Sequence, residues 1–265
     1  MKAKIVDTNG SAGKEIELPR QFSEEFRPDL IKKAVLALQS HNIQPSGVHP
    51  EAGKRASAFL TKRRRKYRGT YGAGRSRTPR KILTRRGLHF YYVGAFAPNT
   101  VGGRTAHPSK ASKIWSLCIN IKERRKAIRS AIAATMNMEV VRKRGHKADS
   151  LVLDSKFEDL AKTKDVEVML MKIGMEAELE RASVKKVRAG KGKSRGRRYR
   201  RKKSLLFVVS KPCPLVKAAR NIQGVEVCQV KDLNVNVLAP GTDAGRLTVW
   251  SDKALETMSK ENLFY

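Results

Sequence analysis

The amino-acid sequence predicts an α/β protein: a layered core with a mostly parallel sheet and flanking helices, plus a long basic extended loop. Three observations predict it. In the second half, short apolar strands alternate with helical stretches, the pattern of a parallel sheet covered by helices. The formal net charge of +33 is unevenly placed: residues 45–110 carry +15, 111–147 carry +8 and 185–203 carry +12, while the other 143 residues sum to −2. Finally, the 66 residues from Pro45 to Lys110 sustain neither helical nor strand periodicity, and they hold 9 of the 19 glycines and 5 of the 10 prolines. The basic character therefore belongs to segments attached to a nearly neutral core, with residues 1–44 and 111–265 forming the globular domain and 45–110 inserted in it.

The elements follow in order. Ala3–Val6 alternates with charge and ends in the turn signature Asp7-Thr8-Asn9-Gly10. Glu15–Leu18 alternates again before Pro19, so paired strands are expected. Pro28-Asp29 opens a helix to about Gln39, with Leu30, Ile31, Ala34, Val35 and Leu38 on one face. Asn120 and Glu123 have the spacing of a capping box, opening a helix to about Thr135 whose buried stripe is Ile121, Ile128, Ala131 and Ile132. Leu151–Leu153 is an expected strand, followed by short acidic helices at Lys156–Lys162, Val166–Ile173 and Glu176–Ala182. Beyond the basic run Lys185–Lys203, strands are expected at Leu205–Val209, Val225–Val230 and Leu247–Trp250, and helices at Leu215–Asn221 and Asp252–Met258. Cys118, Cys213 and Cys228 show no metal spacing and are expected as reduced, buried side chains of a cytosolic protein. The charged N-terminus is unlike a signal peptide, and no apolar run reaches the ~18 residues of a membrane span.

The long basic stretch demands a partner. Ordering it costs on the order of 65–130 kcal/mol at ~1–2 kcal/mol per residue, and its scattered apolar side chains cannot offset that. It carries 16 Lys/Arg against one acid, Glu51, so the partner that orders it is a polyanion, and it is expected to be disordered without one. Out and back, it could reach at most roughly 100 Å at ~3.3 Å per residue, well beyond a core of radius of gyration near ~16 Å. Phe59, Tyr67, Tyr71, Phe90, Tyr91, Tyr92 and Phe96 are interleaved with its arginines, and Tyr199 sits in the second run. Arginine forks grip phosphates and exposed rings stack on unpaired bases, which points to folded RNA.

Catalytic readings fail on inspection. Gly192-Lys193-Ser194 resembles the end of a P-loop, but Val187 stands where its first glycine belongs. Gly72-Ala73-Gly74 has Arg77 in place of the third glycine of a dinucleotide fingerprint. His41, His49, His89, His107 and His146 show no metal spacing, and the adjacent Glu158 and Asp159 point to different helix faces. No catalytic residue, metal, cofactor or small-molecule substrate is expected. An RNA-processing enzyme with basic RNA-binding appendages is the rival reading; a free architectural protein that also binds duplex DNA is another.

Several motifs resemble those of the universal large-subunit ribosomal protein L-four family in its archaeal form. They are Gly72-Ala73-Gly74-Arg75-Ser76-Arg77-Thr78-Pro79-Arg80-Lys81, Gly102-Gly103-Arg104-Thr105-Ala106-His107-Pro108, the helix stretch Ala127–Thr135, the run Gly196–Ser204, and Asn236–Thr248. The resemblance implies a structural constituent of the large ribosomal subunit in the cytoplasm, which binds ribosomal RNA early in subunit assembly. Its partners would be that RNA, neighbouring ribosomal proteins and the nascent peptide, with no membrane. The RNA contacts it implies are Lys54, Arg55, Lys62, Arg63, Arg64, Arg65, Lys66, Tyr67, Arg68, Arg75, Arg77, Arg80, Lys81, Arg104 and Lys110. From the second run come Arg195, Arg197, Arg198, Tyr199, Arg200, Arg201, Lys202 and Lys203. The loop tip, expected to line the polypeptide exit tunnel, maps to Gly74, Arg75, Ser76, Arg77, Thr78, Pro79, Arg80, Arg85 and Arg86. The aromatic insert Leu88-His89-Phe90-Tyr91-Tyr92 departs from simpler relatives, and the long C-terminal extension of eukaryotic members is missing.

Overall fold

A computed structural model describes every residue except Ala56, Ser57, Phe59, Arg68, Ala73 and Leu88. The predicted RNA contact Arg68 and the aromatic Phe59 therefore lie outside the described residues. The chain divides into two units, Met1–Asn42 with Ser116–Tyr265, and Ile43–Trp115.

In chain order the elements are β1 (Lys2–Val6), β2 (Ala12–Glu17), α1 (Pro28–His41), β3 (Arg80–Arg86), β4 (His89–Gly94), α2 (Ile121–Met136), α3 (Met138–Lys143) and β5 (Leu151–Leu153). There follow α4 (Thr163–Lys172), α5 (Glu176–Ser183), β6 (Lys186–Val187), β7 (Tyr199–Arg200), β8 (Leu206–Val209), α6 (Leu215–Ala219), β9 (Glu226–Gln229), α7 (Val235–Leu238), β10 (Thr248–Ser251) and α8 (Asp252–Lys260).

The larger unit is built on one six-stranded sheet in the order β2-β1-β5-β10-β8-β9. Every pair in it is parallel except β1 with β2, which is joined by a tight turn at Gly10 and bulged between Lys4 and Val6. Period-two alternation sends neighbouring residues to opposite faces. Leu206, Val208 and Trp250 pack beneath α1, α2, α7 and α8, while Leu205, Phe207, Val209 and Val249 pack against α4 and α6. Trp250 is fully buried and meets Phe22 edge-on at 5.1 Å. An indole of this size removes about 150–250 Å² from water, worth roughly 4–6 kcal/mol of transfer free energy.

Local details depart from expectation. Half of the capping box forms: the Glu123 carboxylate meets the Asn120 backbone N–H as well as Lys33 Nζ at 2.9 Å, while the Asn120 side chain makes no cap. Ile121 is exposed, and the buried stripe of α2 begins at Ala127. Helix α3 was not anticipated; the Asn137 side chain, accepting from the backbone N–H of Glu139 and Val140, starts it afresh after α2. The cysteines are free but not buried as expected: Cys118 is exposed and the other two are half-buried, since Cys118 precedes the core-facing stretch and Cys228 stands on a sheet edge. The stretch expected to lack strands contains β3 and β4, paired antiparallel. No helix among the described residues is long and apolar enough to cross a membrane.

Candidate nucleic-acid interface

In the unit Ile43–Trp115 the strands β3 and β4 form because β-prone Ile82, Thr84, Phe90, Tyr91, Tyr92 and Val93 flank a turn at Gly87, whose φ of +56° favours a residue without Cβ. The sequence conceals the pair because neither strand alternates: cations flank the short Ile82-Leu83-Thr84 run, and Phe90–Val93 is continuously apolar and aromatic. The register sets Arg85 opposite Phe90 and Ile82 opposite Tyr92. Phe90 then links two other rings, Tyr67 at 5.3 Å edge-on and Tyr92 at 6.0 Å.

Arginines stack on this ladder. The Arg85 guanidinium lies 5.0 Å from the Tyr67 ring centroid, and Arg75 lies 5.2 Å from that of Tyr92. Tyr71 receives both Arg64 at 4.8 Å and Arg77 at 4.7 Å, and Arg64 also donates to its hydroxyl at 2.7 Å. Each exposed cation–π contact contributes roughly 0.5–1 kcal/mol. Arg85 Nε also donates to the Gly87 carbonyl at 2.6 Å and Arg75 to that of Phe90 at 3.5 Å, so part of each fork is used to hold it and the remaining N–H groups face outward for a phosphate. These rings preorganise arginines instead of standing bare for bases. Tyr91 and Phe96 remain well exposed.

Beyond the stacked Arg64, Arg75 and Arg77, the predicted RNA contacts of this unit separate into those that brace the loop and those that stand free. Arg80 donates to the Ser76 carbonyl and hydroxyl, both at 2.5 Å, and Arg104 folds back onto the carbonyl of Arg55, so both brace their own loop. Arg55 itself faces His49 at 3.0 Å. Lys54, Lys62, Arg63, Arg65, Lys66, Lys81, Arg86 and Lys110 are exposed and have no side-chain partner among the described residues. No cation of the unit makes an ion pair among the described residues, so its positive field is uncompensated. Ser76 and Thr78 sit 3.3 Å apart through their hydroxyls, beside Gly74, whose φ of +63° turns the chain.

The larger unit presents a second basic hairpin. Lys186 pairs with Arg200 and Val187 with Tyr199, and the Arg188 N–H donates to the Arg198 carbonyl at 2.8 Å. Glycines at 190 and 196, both with positive φ, let the intervening chain turn. Arg195, Arg197, Arg198, Tyr199, Arg200, Arg201 and Lys202 are all exposed, and Arg198 lies 5.6 Å from the Tyr199 ring. Lys203 differs, because its ammonium pairs with Glu226.

A buried carboxylate grips the base of this hairpin. Glu178 of α5 accepts from Arg181 at 2.6 and 2.8 Å, Ser204 Oγ at 2.8 Å and the Lys147 N–H at 3.2 Å, and meets His146 Nδ1 at 2.7 Å. Arg181 in turn donates to the Lys203 carbonyl at 3.0 Å. Residues just before and just after the basic run are thus tied to one side chain. Burial pushes the Glu178 carboxyl up, but the hydrogen bonds from Arg181, His146 and Ser204 outweigh it and hold it at about 2. Nearby, fully buried Arg246 donates to Glu226 at 2.6 Å and to the carbonyls of Ser204 and Val237. Sequence reasoning missed this cluster; the i,i+3 spacing of Glu178 and Arg181 was its one visible trace.

At the carboxyl ends of the parallel strands, where α/β proteins commonly hold ligands, lies the buried Glu158. Its carboxylate accepts from the Ser210 N–H at 3.0 Å and hydroxyl at 2.9 Å, so it ties a loop to the sheet. No group of three or more metal-ligating side chains occurs among the described residues.

Comparison with known proteins agrees with this geometry. The family described as "Ribosomal protein L4/L1 family" matches residues 16–261. The chain is 48% identical over 269 residues to the large ribosomal subunit protein uL4 of Nanoarchaeum equitans, covering all of both chains. It is 47% identical over 264 residues to that of Archaeoglobus fulgidus, covering 98% of this chain and 99% of the relative, and 46% identical over 265 residues to that of Methanocaldococcus jannaschii, with the same coverage. The chain belongs to the ribosomal protein L4/L1 family.

Proposed function

We propose that this chain is a structural, RNA-binding constituent of the large ribosomal subunit, and that its long basic loop lines part of the nascent-peptide exit tunnel. The family makes it a cytoplasmic ribosomal protein that associates with ribosomal RNA and other ribosomal proteins, and not an enzyme. The observation that carries the finer reading is the arginine–aromatic ladder of β3 and β4, with unpaired cations around it in a unit almost without acids. Such a surface cannot neutralise itself and suits converging RNA backbones. The second basic hairpin binds phosphates from the globular side. The segment Gly74–Arg80, with Arg85 and Arg86, is proposed as the part that meets the nascent chain. A basic segment of this length favours early binding during subunit assembly, before the RNA has closed around its site.

The test is photocross-linking from Ser76 and Thr78 in ribosomes stalled on a radiolabelled nascent chain. Adducts to the nascent chain support the tunnel reading. Adducts to RNA alone from both positions would remove it while leaving the structural role in place.

A further inference from the structure

We infer that β9 is a docking edge for an extended peptide segment of another protein in the large subunit, a reading that rests on the ribosomal function above. The two edges of the six-stranded sheet are β2 and β9, and they are protected differently. β2 is bulged against its neighbour and carries Lys14, Glu15 and Glu17, devices that discourage further pairing. β9 is regular through all four register pairs with β8. Its one charged residue, Glu226, is already neutralised by Lys203 and the buried Arg246.

The backbone of β9 is available on its outer side. The Glu226 N–H donates to the Leu205 carbonyl, towards β8, and alternation along a strand sends the N–H and C=O of Val227 the other way. Among the described residues no strand pairs with that side. A cleft of about 480 Å³ runs along it, with Val216 and Arg220 at the α6 end, Asn236, Val237 and Pro240 at the α7 end, and Val225, Val227 and Cys228 at its back. Because α6 packs on one face of the sheet and α7 on the other, the cleft is walled on both sides of the strand edge.

This shape selects the occupant. A strand added at ~4.8 Å from β9 would bond main chain to main chain and place alternate apolar side chains against the walls. RNA has no matching ladder of donors and acceptors. Arg220 is exposed with no ion-pair partner among the described residues, and Lys203 and Arg246 together outweigh the one carboxylate of Glu226, so the slot has a positive rim and the segment should carry a carboxylate beside its apolar residues.

The full chain bearing a benzophenone amino acid at position 236 is assembled into large subunits, isolated by sedimentation and irradiated. The expected adduct is one defined peptide of one ribosomal protein. Val227→Pro deletes the outward N–H without touching the β8 ladder and should lower the yield about ten-fold, while Val227→Thr should not. Arg220→Glu, at an exposed position, should lower it about three-fold and serves if the proline variant fails to assemble. A nucleotide adduct, no adduct, or yields indifferent to both Val227→Pro and Arg220→Glu would overturn the proposal. Absence of the unsubstituted chain from the subunit peak would instead overturn the ribosomal reading itself, and the slot's partner with it.

Discussion

The two basic segments, +15 over residues 45–110 and +12 over residues 185–203, each carry a hairpin, and the hairpins are held by different supports. β3 and β4 are held by rings that stack on their own arginines, with little apolar burial beneath them. β6 and β7 are barely longer than a turn, yet their base is fixed by Glu178, Arg181 and Ser204 inside a packed core. The difference teaches that a short basic hairpin can borrow order from the domain it leaves, whereas a long one must build its own or obtain it from RNA. A two-stranded hairpin alone is marginal in water.

The largest effect should be on RNA affinity. If the loop cations neutralise phosphates, affinity for large-subunit RNA should fall about 10³–10⁵-fold between 50 and 200 mM salt, with each neutralised phosphate adding roughly 0.7–0.9 to the log–log slope. Filter binding across that range checks it, and a flat dependence would remove the electrostatic account. Replacing Arg64, Arg77 and Arg85 by Gln should lower the slope by more than the same change at Arg197, Arg198 and Arg200 if the ladder supplies the denser contact.

Glu178→Ala should cost about 3–5 kcal/mol in urea unfolding of the full chain, because it strands Arg181 in a buried site. A loss under ~1 kcal/mol would show that the core does not depend on this clamp. The pH dependence gives the same comparison a sign. The folded carboxyl sits at about 2, below its ordinary value, so its stabilisation is complete above about 4.5 and is lost as pH falls towards 2. That loss should be on the order of 2–3 kcal/mol, and should vanish in Glu178→Gln.

A smaller effect is expected at the ladder. Tyr71→Leu removes the ring shared by Arg64 and Arg77 and should weaken RNA binding by about 3–10-fold, near 1 kcal/mol, with unchanged thermal unfolding of the larger unit. In hydrogen exchange without RNA, the β3 and β4 amides should exchange far faster than those of β8 and β10, and slow markedly once RNA is added. Equal protection of the two regions in the free protein would erase the distinction between borrowed and self-made order.

Charge and apolar periodicity were enough to separate a neutral α/β core from basic segments, because both follow from residue order alone. Leu205–Val209 announces a buried parallel strand with no knowledge of its neighbours, and the excess of cations over acids announces a polyanion. Strands β3 and β4 were hidden because neither alternates: β3 has only Ile82-Leu83-Thr84 between cations and β4 is the continuous run Phe90–Val93. Only the cross-strand register sets Arg85 opposite Phe90 and Ile82 opposite Tyr92. Glu123 takes the Asn120 backbone N–H that the spacing foretold, but it also pairs with Lys33, a residue 90 positions away that the chain alone does not place beside it. Glu178 resembles any acid on a solvated helix until folding surrounds it with His146, Arg181 and Ser204. Residue order determined which segments could bury themselves and which needed a polyanion. Tertiary structure decided which charges were spent on each other, because that depends on distances between residues far apart in the chain.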